Sequence, residues 1–259
     1  MAVPIADLKR LVTDAGQLAL TYYGKVVGSV KADQSMFSEA DAAVEDFLRR
    51  SLTDLAPDYG YIGEETAESK PAAAAETRAW VVDAIDGSRA FIAGMPLWMP
   101  CVAVLNGSRA VAGVAVNPVT GEMFWADEDG PAMYGDAPMR PERSAELKPN
   151  TFIFGPTNHF RTFTVDWPGR IYCLGAPIYQ LCMLAKGAVA GMFFDPAINL
   201  WDLALPTTLL ERTGAVLVYA SGRPVQLAEL IGRDVIPEPI YAGSPEMVEV
   251  MRERIKVRG

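Results

Sequence analysis

Residues 81–91 read VVDAIDGSRAF, and they place two carboxylates at the end of an apolar run. Asp83 and Asp86 lie three residues apart, and Gly87 and Ser88 follow directly. Carboxylates at the end of a buried strand are costly to desolvate unless something positive meets them. The stretch therefore predicts a strand that ends at a charged site, followed by a glycine turn into a short helix.

Helical and strand patterns alternate around this stretch. The region before it carries two apolar stripes at helical spacing, and Ser38 and Asp41 fit a capping box at the start of the second one. Three β-rich runs follow it, separated by turn residues, and they predict an antiparallel meander. The predicted helices are 4–23, 38–57, 176–187, 200–213 and 244–255; the predicted strands are 59–66, 80–85, 100–106, 110–118, 122–130, 151–155, 170–175, 188–194 and 215–219; the predicted loops are 31–37 and 69–77.

A polar stretch with three prolines, residues 135–150, is the best linker candidate. It predicts an α+β domain over residues 1–140, with the antiparallel sheet and most of the candidate metal ligands. Residues 141–259 are predicted to form an α/β domain that contributes Asp202 and a substrate-contacting loop.

The composition excludes several classes of function. The formal net charge of −9 argues against nucleic acid or an anionic membrane as a partner. No apolar run reaches the roughly 20 residues of a membrane span, and the first residues lack a signal-peptide pattern. The three cysteines are expected to be buried in a reducing cytoplasm. His159 is the only histidine, so neither a histidine-rich zinc site nor an ordinary serine triad is expected.

The acidic residues share one local position, at the end of a strand or the start of a helix. Each has a plain alternative: Asp41 as a helix-dipole partner, Glu64 in a solvated turn, Asp202 as an N-terminal helix acid. Taken together they predict a cage of oxygen ligands for Mg²⁺. Bound Mg²⁺ can polarise a phosphoryl group and activate water.

An acidic protein with such a cage can bind an anionic substrate through the metal ions. The amides of Gly87 and Ser88, at the start of a short helix, would add donors for a phosphate. Ser88 could instead be a plain N-cap of that helix.

Three motifs resemble the inositol monophosphatase family of Mg²⁺-dependent, lithium-sensitive phosphatases. They are GEE at 63–65, DAIDGS at 83–88 and WDLALP at 201–206, in matching order and spacing. The resemblance implies a layered αβαβα sandwich of the inositol monophosphatase and fructose-1,6-bisphosphatase type. It also implies a cytoplasmic homodimer that uses two to three Mg²⁺ ions to hydrolyse a small phosphorylated metabolite.

The resemblance also implies roles for individual residues. Glu64, Asp83 and the Ile85 carbonyl would hold the first metal ion, and Glu64 a third, weaker one. Asp83, Asp86 and Asp202 would hold the second ion. Ser88 and Asp41 would orient the attacking water together with Glu64. The amides of Gly87 and Ser88 would bind phosphate. Gly175, Ala176 and Asp195 would contact the substrate.

The chain departs from the family pattern at Ala84, Ser88 and Ala90, where proline, threonine and asparagine are usual. Residues 87–98 and 196–204 look most like the histidinol-phosphatase-like branch. Asp195 would suit an ammonium group or a polyol hydroxyl equally, or could simply cap the next turn. The alternatives that remain are a 3′-phosphoadenosine or sugar bisphosphate phosphatase of the same family, and a non-catalytic interaction protein on this fold.

Overall fold

The computed structural model describes residues 3–30, 36–65, 78–232 and 236–258. These residues form five layers in the order helix, sheet, helix, sheet, helix, which confirms the layered sandwich expected from the sequence. A first helical layer covers the outer face of a seven-stranded sheet. A middle helical layer separates that sheet from a five-stranded one, and one further helix covers the far side.

The seven-stranded sheet has its strands in sequential order, and all pairs except the first are antiparallel. The expected meander is therefore confirmed, and it continues into residues of the predicted linker. The strands are β3 (Gly60–Gly63), β4 (Arg78–Asp86), β5 (Met99–Asn106), β6 (Arg109–Asn117), β7 (Glu122–Ala126), β8 (Met133–Tyr134) and β9 (Ala137–Pro138).

The strands of the five-stranded sheet are β10 (Phe152–Phe154), β12 (Arg170–Tyr172), β13 (Gly191–Phe194), β14 (Val216–Tyr219) and β15 (Ile240–Gly243). The sheet mixes parallel and antiparallel pairs in the order β12-β10-β13-β15-β14. Two small antiparallel pairs complete the strands: β1 (Ser29–Val30) with β2 (Met36–Phe37), and β11 (Phe163–Val165) with β16 (Ile255–Val257).

The described residues form seven α-helices, and five of them make up the three helical layers. The first layer contains α1 (Ile5–Leu20) and α2 (Glu39–Leu55); the middle layer contains α5 (Pro177–Lys186) and α6 (Leu200–Arg212); α7 (Pro245–Arg254) covers the five-stranded sheet. Two short helices are α3 (Ser88–Ile92) and α4 (His159–Thr162). No helix among them has both the length and the apolar character needed to cross a bilayer.

Strand β4 is buried on both faces, and its alternating side chains join two separate cores. Trp80 and Val82 pack in the core shared with α1 and α2. Ala79 and Val81 pack in the core shared with α5 and α6. Successive side chains of a strand point to opposite faces, so this nearly continuous apolar run is what a central strand between two helical layers requires.

A β-bulge at the end of β4 sets the direction of its two acids. Asp83 pairs with Cys101 and Asp86 with Met99, so three steps on β4 oppose two steps on β5. In a regular strand, residues three apart would point to opposite faces. The extra residue restores the phase, so both carboxylates turn toward the middle layer.

The structure differs from the sequence expectations at several points. Met36 and Phe37 form strand β2 where a loop was expected, and β15 was not predicted because its four residues are too few to show a clear period. The last helix ends at Arg254, before the small strand β16. Cys101 and Cys182 are buried as expected, but Cys173 is exposed. The predicted loop 69–77 lies outside the described residues.

Candidate active site

Three buried carboxylates converge where the seven-stranded sheet meets the middle helical layer. Asp83 and Asp86 end β4, and Asp202 lies in the first turn of α6. One oxygen from each of the three lies within 4.8 Å of the others. All three side chains are at most 8% exposed. The structure thus brings together two residues close in sequence and a third that follows more than a hundred residues later.

A backbone amide holds one oxygen of each carboxylate. Asp83 Oδ1 accepts a hydrogen bond from the Ile85 amide at 3.0 Å. The Tyr179 amide in the first turn of α5 donates to Asp86 Oδ2 at 2.9 Å, and the Asn199 amide donates to Asp202 Oδ2 at 2.7 Å. These bonds orient the acids, and the positive N-terminal ends of α5 and α6 favour negative charge at Asp86 and Asp202.

The ionised forms of these three carboxylates are unfavourable in the folded protein. Burial raises the pKa of Asp86 to about 7, against the opposing effect of the Tyr179 and Ile178 amides. Burial likewise raises the pKa of Asp202 to about 7, with a smaller contribution from Asp86. Burial and the neighbouring carboxylates, Glu64 first among them, raise the pKa of Asp83 well above its ordinary value. Charged carboxylates here need a compensating cation.

The donor set fits a hard divalent cation. It consists of carboxylate oxygens without histidine or cysteine, and such ligands suit Mg²⁺. Asp86 Oδ1 is buried and has no hydrogen-bond partner among the described residues. Within that part of the chain, no lysine or arginine forms an ion pair with Asp83, Asp86 or Asp202.

A chain of hydrogen bonds connects Ser88 with the start of helix α2. Ser88 Oγ lies 3.1 Å from Asp41 Oδ1 and 3.1 Å from the Ile85 carbonyl oxygen. The amide and the hydroxyl of Ser38 both donate to Asp41 Oδ2, at 2.8 and 2.7 Å. Asp41 therefore completes the capping box that begins at Ser38, as expected, and also fixes the Ser88 hydroxyl. Gly87, not Ser88, is the N-cap of α3.

Glu64 approaches the cluster from the end of β3. Its amide donates to the Val82 carbonyl at 3.2 Å, which extends the β3–β4 pairing by one residue. The next amide, of Glu65, donates to Glu45 Oε2 at 2.8 Å. Glu45 is 2% exposed and lies one turn after Asp41 on α2. This support was not predicted, although an acid on an otherwise apolar helix face was a signal for it in the sequence.

These groups line a cavity of about 160 Å³, the metal cavity below. Its wall is formed by Glu64, Asp83, Ile85, Asp86, Gly87, Ser88 and Asp202, together with Met36, Arg89, Gly175, Pro177, Ala197, Asn199 and Trp201. All the residues predicted to bind metal or phosphate therefore line the metal cavity. Asp41 lies behind Ser88.

A second cavity of about 430 Å³, the side cavity below, adjoins the metal cavity. Arg89, Gly175, Pro177 and Ala197 line both. Asp195, at the end of β13, lines the side cavity, and its Oδ1 also accepts the Ala197 amide at 3.3 Å. The rest of its wall comprises residues 155–158, Cys173, Gln180, Met192, Phe194 and Ile198.

Not every predicted substrate contact faces these cavities. Gly175 has φ +72° and lines both of them. Ala176 is fully buried in the middle core and lines neither, and Pro177, which follows it, lines both. Residues 155–158 and Gln180 were not predicted from the sequence, because nothing in their local pattern marks them as neighbours of Asp83.

The comparisons with known proteins agree with this geometry. The model of the inositol monophosphatase family matches residues 4–249. The chain is 29% identical over 224 residues to the histidinol-phosphatase of Chlorobaculum parvum, covering 82% of this chain and 84% of that protein. It is 26% identical over 255 residues to the inositol-1-monophosphatase of Rhizobium meliloti, with coverages of 93% and 92%.

The fold has solved counterparts. The crystal structure of the extragenic suppressor protein suhB from Bartonella henselae superposes with a TM-score of 0.81 at 21% identity, over 96% of each chain. At this identity the likeness establishes the fold.

Proposed function

Because the chain belongs to the inositol monophosphatase family of phosphatases, we propose that it is a Mg²⁺-dependent phosphomonoesterase for a small polyol or amino-alcohol phosphate. The observation that carries the proposal is the group of three buried carboxylates, Asp83, Asp86 and Asp202, within 4.8 Å of one another. A cluster of this kind is costly without a cation, and its donors suit Mg²⁺.

Glu64, Asp83 and the Ile85 carbonyl would hold one ion, and Asp83, Asp86 and Asp202 a second; Glu64 would also contribute to a third, weaker site. When bound, Mg²⁺ acts as a Lewis acid toward the phosphoryl group and lowers the pKa of water. The protein contributes the fixed positions of these oxygens, since backbone amides already hold Asp83, Asp86 and Asp202.

Ser88 and Asp41 orient the attacking water in this proposal. The Ser88 hydroxyl has one proton to donate, and its two acceptors, Asp41 Oδ1 and the Ile85 carbonyl oxygen, each lie 3.1 Å from Ser88 Oγ. A lone pair of Ser88 Oγ is then left to accept a hydrogen bond from water. Glu64, in the same cavity, would take the proton of that water, and the amides of Gly87 and Ser88 would hold the phosphate.

The side cavity would receive the alcohol part of the substrate. Asp195 gives it one carboxylate, which suits an ammonium group or a hydroxyl. The relatives support both types of substrate, because one is named a histidinol-phosphatase and another an inositol-1-monophosphatase. A bisphosphate or nucleotide substrate fits less well, since Arg89 is the single lysine or arginine that lines the two cavities in the described chain.

Phosphate release from a panel of phosphomonoesters tests the proposal. The panel should include histidinol phosphate and inositol 1-phosphate, with 3′-phosphoadenosine 5′-phosphate and fructose 1,6-bisphosphate for the alternative. We expect turnover of at least one of the first two with Mg²⁺. Absence of turnover on the whole panel would favour a non-catalytic interaction protein.

Asp86→Asn is the matched variant for this assay. It removes one charge and keeps the shape of the side chain, so the fold should persist while turnover is nearly abolished. A kcat within about threefold of wild type at saturating Mg²⁺, a difference below about 0.7 kcal/mol, would show that Asp86 is not a metal ligand.

Three further properties go with the proposal and rest on the family resemblance. They are inhibition by Li⁺ and Ca²⁺, a homodimeric state and a cytoplasmic location. The assay above measures the first in the presence of each ion, and sedimentation of the purified protein measures the second.

A further inference from the structure

The side cavity contains a buried amide that the described fold leaves unpaired. Gln180 lines this cavity and is 3% exposed. Its Nε2 has no hydrogen-bond partner among the residues that the structure describes. A buried polar group without a partner costs about 1–3 kcal/mol. A partner supplied by a bound ligand would remove that cost.

The backbone of Gln180 belongs to the same rigid element that orients the acid cluster. Its amide donates to the Ala176 carbonyl at 2.9 Å, in the first turn of α5. The preceding residue, Tyr179, holds Asp86 through its own amide. A ligand group bound by Gln180 is therefore held at a fixed place relative to the site of phosphate hydrolysis.

We propose that Gln180 is a specificity-determining residue that hydrogen-bonds a hydroxyl group in the alcohol part of the substrate. The inference rests on the proposed phosphatase function and narrows its substrate class to hydroxylated phosphomonoesters. A primary amide both donates and accepts hydrogen bonds, and so does a hydroxyl. The charged groups of the cavity differ from this neutral amide, because Arg89 only donates hydrogen bonds and an ionised Asp195 only accepts them.

The apolar part of the wall strengthens this selection. Met192, Phe194 and Ile198 offer no polar partner to a ligand or to Gln180. An alkyl phosphate would fill the same space but leave the Gln180 amide unpaired. A site built to bond a hydroxyl rejects the analogue that lacks it for this reason.

Two matched pairs of esters test the inference: inositol 1-phosphate against cyclohexyl phosphate, and glycerol 3-phosphate against propyl phosphate. Wild-type protein with Mg²⁺ should prefer the hydroxylated member of the pair it hydrolyses by at least about tenfold in kcat/KM. Gln180→Met keeps the length of the side chain and removes its polar atoms. We expect it to lose most of that preference, mainly through slower turnover of the hydroxylated ester, with alkyl ester turnover unchanged or faster.

Thermal unfolding separates this role from a structural one. Because Gln180→Met removes an unpaired buried amide, its Tm should equal or exceed that of wild type. Gln226→Met, at an exposed position outside the side cavity, should change neither the preference nor Tm. Two results with an active wild-type protein overturn this inference alone. Either the preference survives in Gln180→Met, or Gln180→Met lowers kcat/KM for both esters of a pair by the same factor. A wild-type protein that hydrolyses histidinol phosphate but none of the four esters also overturns this inference alone. One that releases phosphate from none of the four esters and from none of the phosphomonoesters of the earlier panel overturns the proposed function together with it.

Discussion

At the residue scale, the Ser88 hydroxyl has the most sharply defined role in the proposed chemistry. Its Oγ is fixed by Asp41 and by the Ile85 carbonyl, and it opens into the metal cavity. The alternative of a plain N-cap does not match the structure, because Gly87 is the N-cap of α3. A residue that orients water should affect turnover more than binding or stability.

Ser88→Ala should therefore lower kcat roughly a hundredfold while KM changes little, as expected when the attacking water is no longer held in position. Its stability cost should be about 1 kcal/mol, from the lost hydrogen bond. Ser88→Thr keeps the hydroxyl and should retain most of the activity. Steady-state kinetics at saturating Mg²⁺ measures both variants. Near-normal kcat in Ser88→Ala, with only a lower Tm, would assign Ser88 a structural role.

At the scale of single elements, the turn from β4 into α3 determines where the acids and amides lie. Gly87 adopts φ +86°, and a Cβ there would lie 2.5 Å from the Leu97 carbonyl oxygen and 2.9 Å from the Ala176 Cβ. Both the left-handed backbone and the close approach require glycine. The turn cannot accept a side chain without moving either α5 or the segment before β5.

Gly87→Ala should thus destabilise the protein by more than about 2 kcal/mol and abolish most activity. Gly121→Ala is the matched control, because Gly121 has φ +76° but no atom lies within 4 Å of the place that a methyl group would take. Gly121→Ala measures only the loss of stability from a side chain in the left-handed conformation, about 1 kcal/mol, and should leave kcat unchanged. Denaturant unfolding and phosphate release compare the two. Equal losses of stability would show that the contacts of Gly87 do not matter.

The elements also show what the sequence could and could not predict. Apolar periodicity predicted β4, the meander and helices α1, α2, α5 and α6 to within a few residues. The bulge before Asp86 has no signal in a two-residue period, so the shared direction of Asp83 and Asp86 became visible only in the pairing of β4 with β5. Strand β15 lacked a pattern long enough to recognise.

The sequence likewise predicted only part of the candidate site. The capping box of Ser38 and Asp41 follows from local spacing. The shared position of the acids at strand ends and helix starts predicted that Asp202 joins Asp83 in one cage, whereas their distance is set by the tertiary structure. The side cavity combines segments from 89 to 198 and could not be assembled from local patterns. The division into domains 1–140 and 141–259 stays a prediction; α6 packs against strands on both sides of that boundary.

At the scale of the whole molecule, the acid cluster should make stability depend on pH and on Mg²⁺ together. The pKa values of Asp86 and Asp202 rise from an ordinary 3.8 to about 7 on folding. The folded protein then binds protons more tightly than the unfolded chain, so protonation of these two acids stabilises the fold. Their contribution to the free energy of unfolding is fully present below about pH 4 and is lost as the pH rises to about 7.

Without metal, Tm should fall by at least about 5 °C between pH 5 and pH 8. Mg²⁺ binds the ionised carboxylates, so its stabilising effect should grow over the same interval. Asp86→Asn should reduce both effects. The ion pair of Glu128 with Arg78 lowers the pKa of Glu128 and is lost only at more acidic pH, outside this interval. A metal-free Tm that rises from pH 5 to pH 8 would contradict the burial of these charges.

The dependence of phosphate release on Mg²⁺ tests the central claim most directly. The protein is chelated exhaustively and assayed with a phosphomonoester that it hydrolyses, and Mg²⁺ is then returned in steps. Activity should vanish on chelation and return with added Mg²⁺, because the carboxylates of Asp83, Asp86 and Asp202 cannot perform the hydrolysis without a cation. Undiminished activity after complete removal of divalent metal would contradict the account.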